Sequence, residues 1–138
     1  MIVLDSSAVV ALMLREEAAP ALADRLAQTA GERVMSTANF VEAGAVLAGR
    51  TADPLRGVAD LEAFLEEFRV QLAPIDAVQA RLALDARVRL GRGFGSAAKL
   101  NFGDCFAYAL AKSLNAPLLF IGDDFANTDV TPALAANT

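Results

Sequence analysis

Short apolar runs alternate along the chain with longer stretches of helical periodicity. Residues 2–4 are a fully apolar strand candidate, halted at once by Asp5. Ser6 or Ser7 then caps a helix running toward Arg15, and residues 16–29 form a second, with Pro20 tolerable only in its first turn. Residues 34–36 are another short strand, after which Thr37 caps a helix to about Leu47. Asp53-Pro54 pairs a cap with proline at the first helical position, and Leu61, Phe64, Leu65 and Phe68 follow at helical spacing. Residues 70–73 read as a strand ended by Pro74, and Asp76 caps a helix to about Leu90. Residues 91–96 hold three glycines and form a loop; residues 103–114 are helical, and residues 117–121 form the last clear strand.

Apolar strands interleaved with helices indicate an α/β fold whose parallel sheet is covered on both faces. No repeat, low-complexity tract or linker divides the 138 residues, so residues 1–138 are expected to form one domain. In open sheets of this kind, sites gather beyond the carboxyl ends of the strands. Asp5 directly follows the first strand, and Asp123 follows the last after one glycine.

Composition narrows the chemistry. The chain has no histidine and one cysteine, Cys105. Serine–histidine and cysteine–histidine triads, histidine acid–base cleavage of RNA and histidine-bound zinc are thereby excluded, as is an internal disulfide. Carboxylates and hard cations remain as hydrolytic tools. No apolar run approaches the ~18 residues that span a bilayer, and the opening residues lack a basic, signal-like start, so a cytoplasmic location with no membrane partner is expected. Net charge is −5, yet Arg87, Arg89, Arg92 and Lys99 lie in a stretch without an acid, a local +4 that leaves −9 elsewhere. That stretch reads equally as a guide for a phosphate chain and as a solvated helix end with its loop.

Three acids stand apart from other charges. Asp5 is the only charged residue in 1–14, Glu42 the only one in 34–49, and Asp104 the only one in 100–111. A fourth acidic point, Asp123-Asp124, follows ten uncharged residues, 113–122. An ionised carboxylate in apolar surroundings costs several kcal/mol unless compensated. No arginine or lysine lies within a helical turn of Asp5, Glu42 or Asp104 in sequence, and one shared hard cation would satisfy several acids at once. Each residue also has an ordinary structural reading. Asp5 can end a strand, Glu42 can face solvent, Asp104 can complement a helix dipole, and Asp123 and Asp124 can cap a turn. Ser6 and Ser7 either orient Asp5 or cap the helix; Asn39 shares a helix face with Glu42; Cys105 packs as a small apolar side chain.

Four ordered segments carry a family resemblance: Val3-Leu4-Asp5-Ser6-Ser7-Ala8, Ser36 through Glu42, Leu100 through Tyr108, and Pro117 through Phe125. With these segments the chain resembles the PIN-domain nucleases, specifically the VapC toxins of bacterial type II toxin–antitoxin systems, over nearly its whole length. The resemblance implies a three-layer α/β fold with a central parallel sheet of about five short strands flanked by helices. It also implies an acidic site for Mg²⁺ or Mn²⁺ built on Asp5, Glu42 and Asp104, with Asp5 and Asp104 as direct metal ligands. Asp123 and Asp124 both remain candidates for the fourth acid. A homodimer, an RNA substrate, 5′-phosphate and 3′-hydroxyl products and a small cognate antitoxin that occludes the site are implied as well.

The expected chemistry is metal-assisted hydrolysis of an RNA phosphodiester, with Arg87, Arg89, Arg92 and Lys99 as contacts to backbone phosphate. Two rivals are an aspartyl-phosphate phosphohydrolase and a catalytically silent binding module on the same fold. The first wants an aspartate two residues beyond its nucleophile, where this chain has Ser7. The set of isolated acids counts against the second.

Overall fold

The structure, a computed structural model, describes residues 1–135. Strand β1 (Ile2–Leu4) leads into α1 (Ser6–Met13) and α2 (Ala19–Ala27), and β2 (Arg33–Ser36) into α3 (Thr37–Gly49) and α4 (Pro54–Glu67). Strand β3 (Val70–Ala73) is followed by α5 (Ala77–Leu90) and α6 (Phe102–Leu114), and the chain returns as β4 (Leu118–Leu119). The four strands pair in parallel in the order β3-β2-β1-β4. Where a fifth strand would extend the edge, Leu118 meets Pro132 in a single parallel bridge. Thr131 accepts from the Leu118 amide and Ala133 donates to its carbonyl. The proline faces the open side of this edge, where its missing N–H is not needed.

Side-chain alternation along strands this short divides the interior in two. Ile2, Leu4, Met35 and Leu119 point into one core with Val9, Leu22, Leu26, Leu47, Leu61 and Phe64. Val3, Val34 and Leu118 point into the other with Ala83, Ala86, Leu100, Tyr108, Leu110 and Phe125. The sheet is thus sandwiched between helices, as the run of consecutive apolar residues in each strand requires. Helix starts follow the sequence with two corrections: α1 is capped by Asp5 rather than by Ser6 or Ser7, and α3 by Ser36 rather than Thr37. In both cases the last extended residue carries the oxygen that reaches the free amide two positions on. The second helix is also shorter than its periodicity suggests, beginning at Ala19 with Pro20 in its first turn.

Chain order fixes where a site can form. From β1 the chain moves outward through β2 to β3, then crosses back to place β4 on the other side of β1. The crevice at the carboxyl ends of β1 and β4 is the switch point of the sheet. No helix among the described residues is long and apolar enough to cross a membrane.

At the opposite end of β2, Arg33 braces the scaffold. Its guanidinium donates to the carbonyls of Phe68 (2.9 Å) and Leu26 (2.7 Å), which close α4 and α2. It supplies positive charge and donors where helix ends lack both. Arg33→Met should lower unfolding stability by about 2–3 kcal/mol in urea titrations, the range for losing charged hydrogen bonds.

Candidate active site

Asp5 is the pivot of the crevice. Its amide continues the ladder to Leu119 (2.9 Å), and its side chain turns back so that Oδ2 accepts from the Ser7 amide at 3.0 Å, opening α1. The residue is only 2% exposed, and Oδ1 is buried with no hydrogen-bond partner. Ser7 therefore serves Asp5, and its hydroxyl also accepts from the Ile121 amide at 3.2 Å, joining α1 to the end of β4. Ser6 does not orient Asp5: its hydroxyl donates to Oε1 of Glu42 on α3.

Glu42 is half-buried, one turn after Asn39. The Asn39 amide donates to the same Oε1 at 3.3 Å and to the carbonyl of Gly103 at 3.0 Å, bridging α3 and α6. Asp104 sits in the first turn of α6, 5% exposed. Its Oδ2 accepts from the Asn101 amide at 3.0 Å, while Asn101 Oδ1 accepts from the Asp104 amide at 2.8 Å. This reciprocal capping box fixes the carboxyl against the helix start. Asn101 and Gly103 are contributors that sequence reasoning passed over. The Asn-x-x-Asp spacing was the available signal for the first, and nothing local marks the second.

Each of the three acids thus commits one oxygen to orientation and holds the other away from those bonds. Their charges feel one another. Burial pushes Asp5 up to about 6, opposed by the Ser7 hydroxyl and amide and reinforced by the charge of Glu42. Burial likewise pushes Asp104 up to about 7, opposed by the Asn101 amide and reinforced by Asp5 and Asp124. The ion pairs among the described residues are Arg56–Asp60, Arg89–Asp85 and Lys112–Asp129, none of which touches these acids.

Of the two neighbouring aspartates, Asp124 is half-buried and faces Asp104, whereas Asp123 is exposed. The structure therefore gathers Asp5, Glu42, Asp104 and Asp124, and leaves Asp123 outside. A hard divalent cation fits this donor set: all oxygen, net negative, with an unsatisfied oxygen on buried Asp5. Among the described residues no three such side chains converge tightly enough to cage an ion alone. That suits Mg²⁺, which usually takes one or two carboxylates and keeps waters.

The basic stretch is less uniform than its sequence suggests. Arg89 is held by Asp85 at 2.6 Å, and Arg87 lies over the Phe94 ring and donates to the Arg92 carbonyl at 3.1 Å. Arg92 and Lys99 are exposed on a loop whose base is closed by pairing of Gly91 with Leu100. Leu100 immediately precedes the Asn101 cap, so this loop flanks the acidic crevice. Cys105 is buried and donates to the Asn101 carbonyl at 3.3 Å, the packing role expected of it.

Acids whose folded pKa is raised destabilise the fold once ionised: the penalty is absent below about pH 4, grows as pH rises toward 6 for Asp5 and 7 for Asp104, and is complete above those values. Asparagine at position 5 keeps a capping oxygen and removes the charge. In metal-free buffer Asp5→Asn should therefore melt above wild type, being more stable by on the order of 2–3 kcal/mol at pH 8, by roughly half of that at pH 5 and by little at pH 3. Saturating Mg²⁺ should narrow the gap, because only wild type gains a full ligand. A gap that is absent or reversed at pH 8 would contradict the crowding.

Comparison with known proteins gives the family. The PIN domain family matches residues 2–130. Ribonuclease VapC42 of Mycobacterium tuberculosis is 40% identical over 95% of this chain and 98% of its own length. Ribonuclease VapC28 of the same organism is 43% identical over 96% and 97%. Among solved structures, M. tuberculosis VapC20, described as a sarcin–ricin loop cleaving toxin, superposes with a TM-score of 0.77 at 16% identity, covering 95% of this chain and 97% of that one. VapBC-1 from nontypeable Haemophilus influenzae superposes with a TM-score of 0.73 at 21% identity, covering 95% and 96%. With the family matched from the first strand through the acidic crevice, and relatives of this identity aligned end to end, the chain belongs to the PIN-domain family and, within it, to the VapC ribonucleases.

Proposed function

We propose that this protein is the toxin of a type II toxin–antitoxin pair, an endoribonuclease that hydrolyses RNA phosphodiesters at a divalent-metal site. The observation that carries the reading is the crevice itself: buried Asp5 and Asp104, with Glu42 and Asp124, crowded at the switch point with no ion pair to a basic side chain among the described residues. Its closest chemical fit is Mg²⁺, with Mn²⁺ as a substitute of similar preference for oxygen ligands.

Asp5 and Asp104 are the direct ligands in this reading, and Asp124 the fourth acid. When bound, the cation polarises the phosphate, stabilises the charge that develops on it and makes water acidic enough to attack at neutral pH. The protein's own part is orientation. Ser7 holds Asp5, Asn101 holds Asp104, and Ser6 with Asn39 holds Oε1 of Glu42. Oε2 of Glu42 is left to accept a proton or a water hydrogen bond. Arg92 and Lys99, exposed beside the crevice, are placed to meet backbone phosphate on either side of the cleaved bond. Arg87 and Arg89, tied to Phe94 and Asp85, contribute field more than contact.

In the proposed pair the small cognate antitoxin holds the toxin silent, in a cytoplasmic complex that includes a toxin homodimer. A groove of about 810 Å³ between the α1–α2 turn and α4 supports a seat for it. Leu12, Met13, Phe64 and Phe68 give the groove its apolar surface, and Glu16, Glu17, Asp60 and Glu67 outnumber Arg15 around it, so it fits an apolar peptide carrying basic residues.

Purified protein should cut single-stranded or looped RNA with Mg²⁺ and stop with chelator. Asp5→Asn, Asp104→Asn and Asp124→Asn should each slow cleavage by about 10²-fold or more, the loss when a group serving transition-state charge is removed. Asp123→Asn should stay near wild type. Cleavage that persists in chelator, or in Asp5→Asn, would overturn the assignment. Charge reversal at Glu16 and Glu17 to lysine should weaken neutralisation by the antitoxin while leaving cleavage intact, measured by titrating antitoxin into the cleavage reaction.

A further inference from the structure

Gly103 is an unfavourable residue for its position. It is the second residue of α6, where glycine gives up more backbone freedom than alanine would. Its φ is not in the left-handed region, so the backbone does not demand it. The reason lies across the helix interface. A β-carbon at position 103 would overlap Glu42, falling 2.6 Å from Cδ and 2.8 Å from Oε1. Only a side chain without a β-carbon lets the Glu42 carboxylate lie against α6.

Asn39 is equally specific. It is fully buried, and its amide nitrogen reaches both the Gly103 carbonyl and Glu42 Oε1. Its own Oδ1 has no partner, so burying this amide is only partly compensated. An apolar residue would pack there without that cost, but it would give up both bonds. The two residues complement one another. Asn39 draws α3 and α6 together and turns Oε1 inward, and Gly103 makes room for the carboxylate at the point of contact.

We propose that Asn39 and Gly103 are positioning residues for Glu42, one tethering its carboxylate and the other clearing the space it occupies, so that the Glu42–Asp104 arrangement is set by this α3–α6 contact. The proposal rests on reading Glu42 as a member of the acidic site.

The test is a pair of double-mutant cycles, Gly103→Ala with Glu42→Ala and Asn39→Ala with Glu42→Ala. Each is read by kcat and KM for RNA cleavage in Mg²⁺ and by the melting midpoint of the metal-free protein. Gly103→Ala should lower kcat by about 10–100-fold, the usual loss when a ligand's supporting contact is removed, with KM little changed. In the Glu42→Ala background it should cause no further loss. The melting midpoint of Gly103→Ala relative to its parent should be higher in the Glu42→Ala background than with Glu42 present, because the overlap is then gone. Asn39→Ala should likewise lower kcat in wild type and not in Glu42→Ala.

Wild-type kcat in Gly103→Ala, or losses that multiply with Glu42→Ala, would overturn the proposal while leaving the nuclease reading intact. Wild-type cleavage by Glu42→Ala would instead remove Glu42 from the site, and the proposal with it. A Gly103→Ala chain that folds only when Glu42 is truncated supports the overlap directly. One that fails to fold in both backgrounds overturns the role given to Gly103.

Discussion

Mutual repulsion among buried carboxylates is the constraint around which the crevice is organised. Asp5 and Asp104 are almost wholly removed from water, each feels at least one other acid, and among the described residues no lysine or arginine is paired with either. Such a cluster is unfavourable for the apo fold, and the rest of the molecule supplies the stability that tolerates it. Two apolar cores sandwich the sheet, and Arg33 closes two helix ends far from the acids. A cation that binds only the folded, ionised site converts that repulsion into affinity.

Local structure does double duty here. The hydrogen bond that starts α1 also aims Asp5, and the capping box that starts α6 also aims Asp104. In both, one carboxylate oxygen is fixed by a backbone amide, so the other is held without help from a flexible partner. Glu42 lies within its helix, beyond the reach of any cap, and must be aimed by tertiary contacts instead. Ser6, Asn39 and the bare backbone of Gly103 do this from three directions. The difference follows from position: helix starts have free amides to offer, and later turns do not.

The charge distribution separates two surfaces. The basic loop beside Asn101 favours a polyanion near the crevice, whereas the groove between the α1–α2 turn and α4, with four acids to one arginine, disfavours one. The RNA and the basic antitoxin peptide proposed above would therefore meet different parts of one small protein. A net charge of −5 thus says little about the charge beside the crevice.

Much of this was legible along the chain. Strand positions, the parallel sheet and the placement of Asp5 beyond β1 follow from apolar runs and helical spacing, since a strand buried on both faces must be apolar throughout. The isolation of Asp5, Glu42 and Asp104 from other charges marked them, because burying an acid without a partner is costly whatever the fold. The sequence could not separate Asp123 from Asp124, since adjacent residues point in different directions only once the turn after β4 is built. Nor could it assign Ser6 to Glu42 or reveal Gly103, because those contacts join residues dozens of positions apart. Local chemistry determined which side chains need a partner; the packing of α1, α3 and α6 against one another decided which partner each one meets.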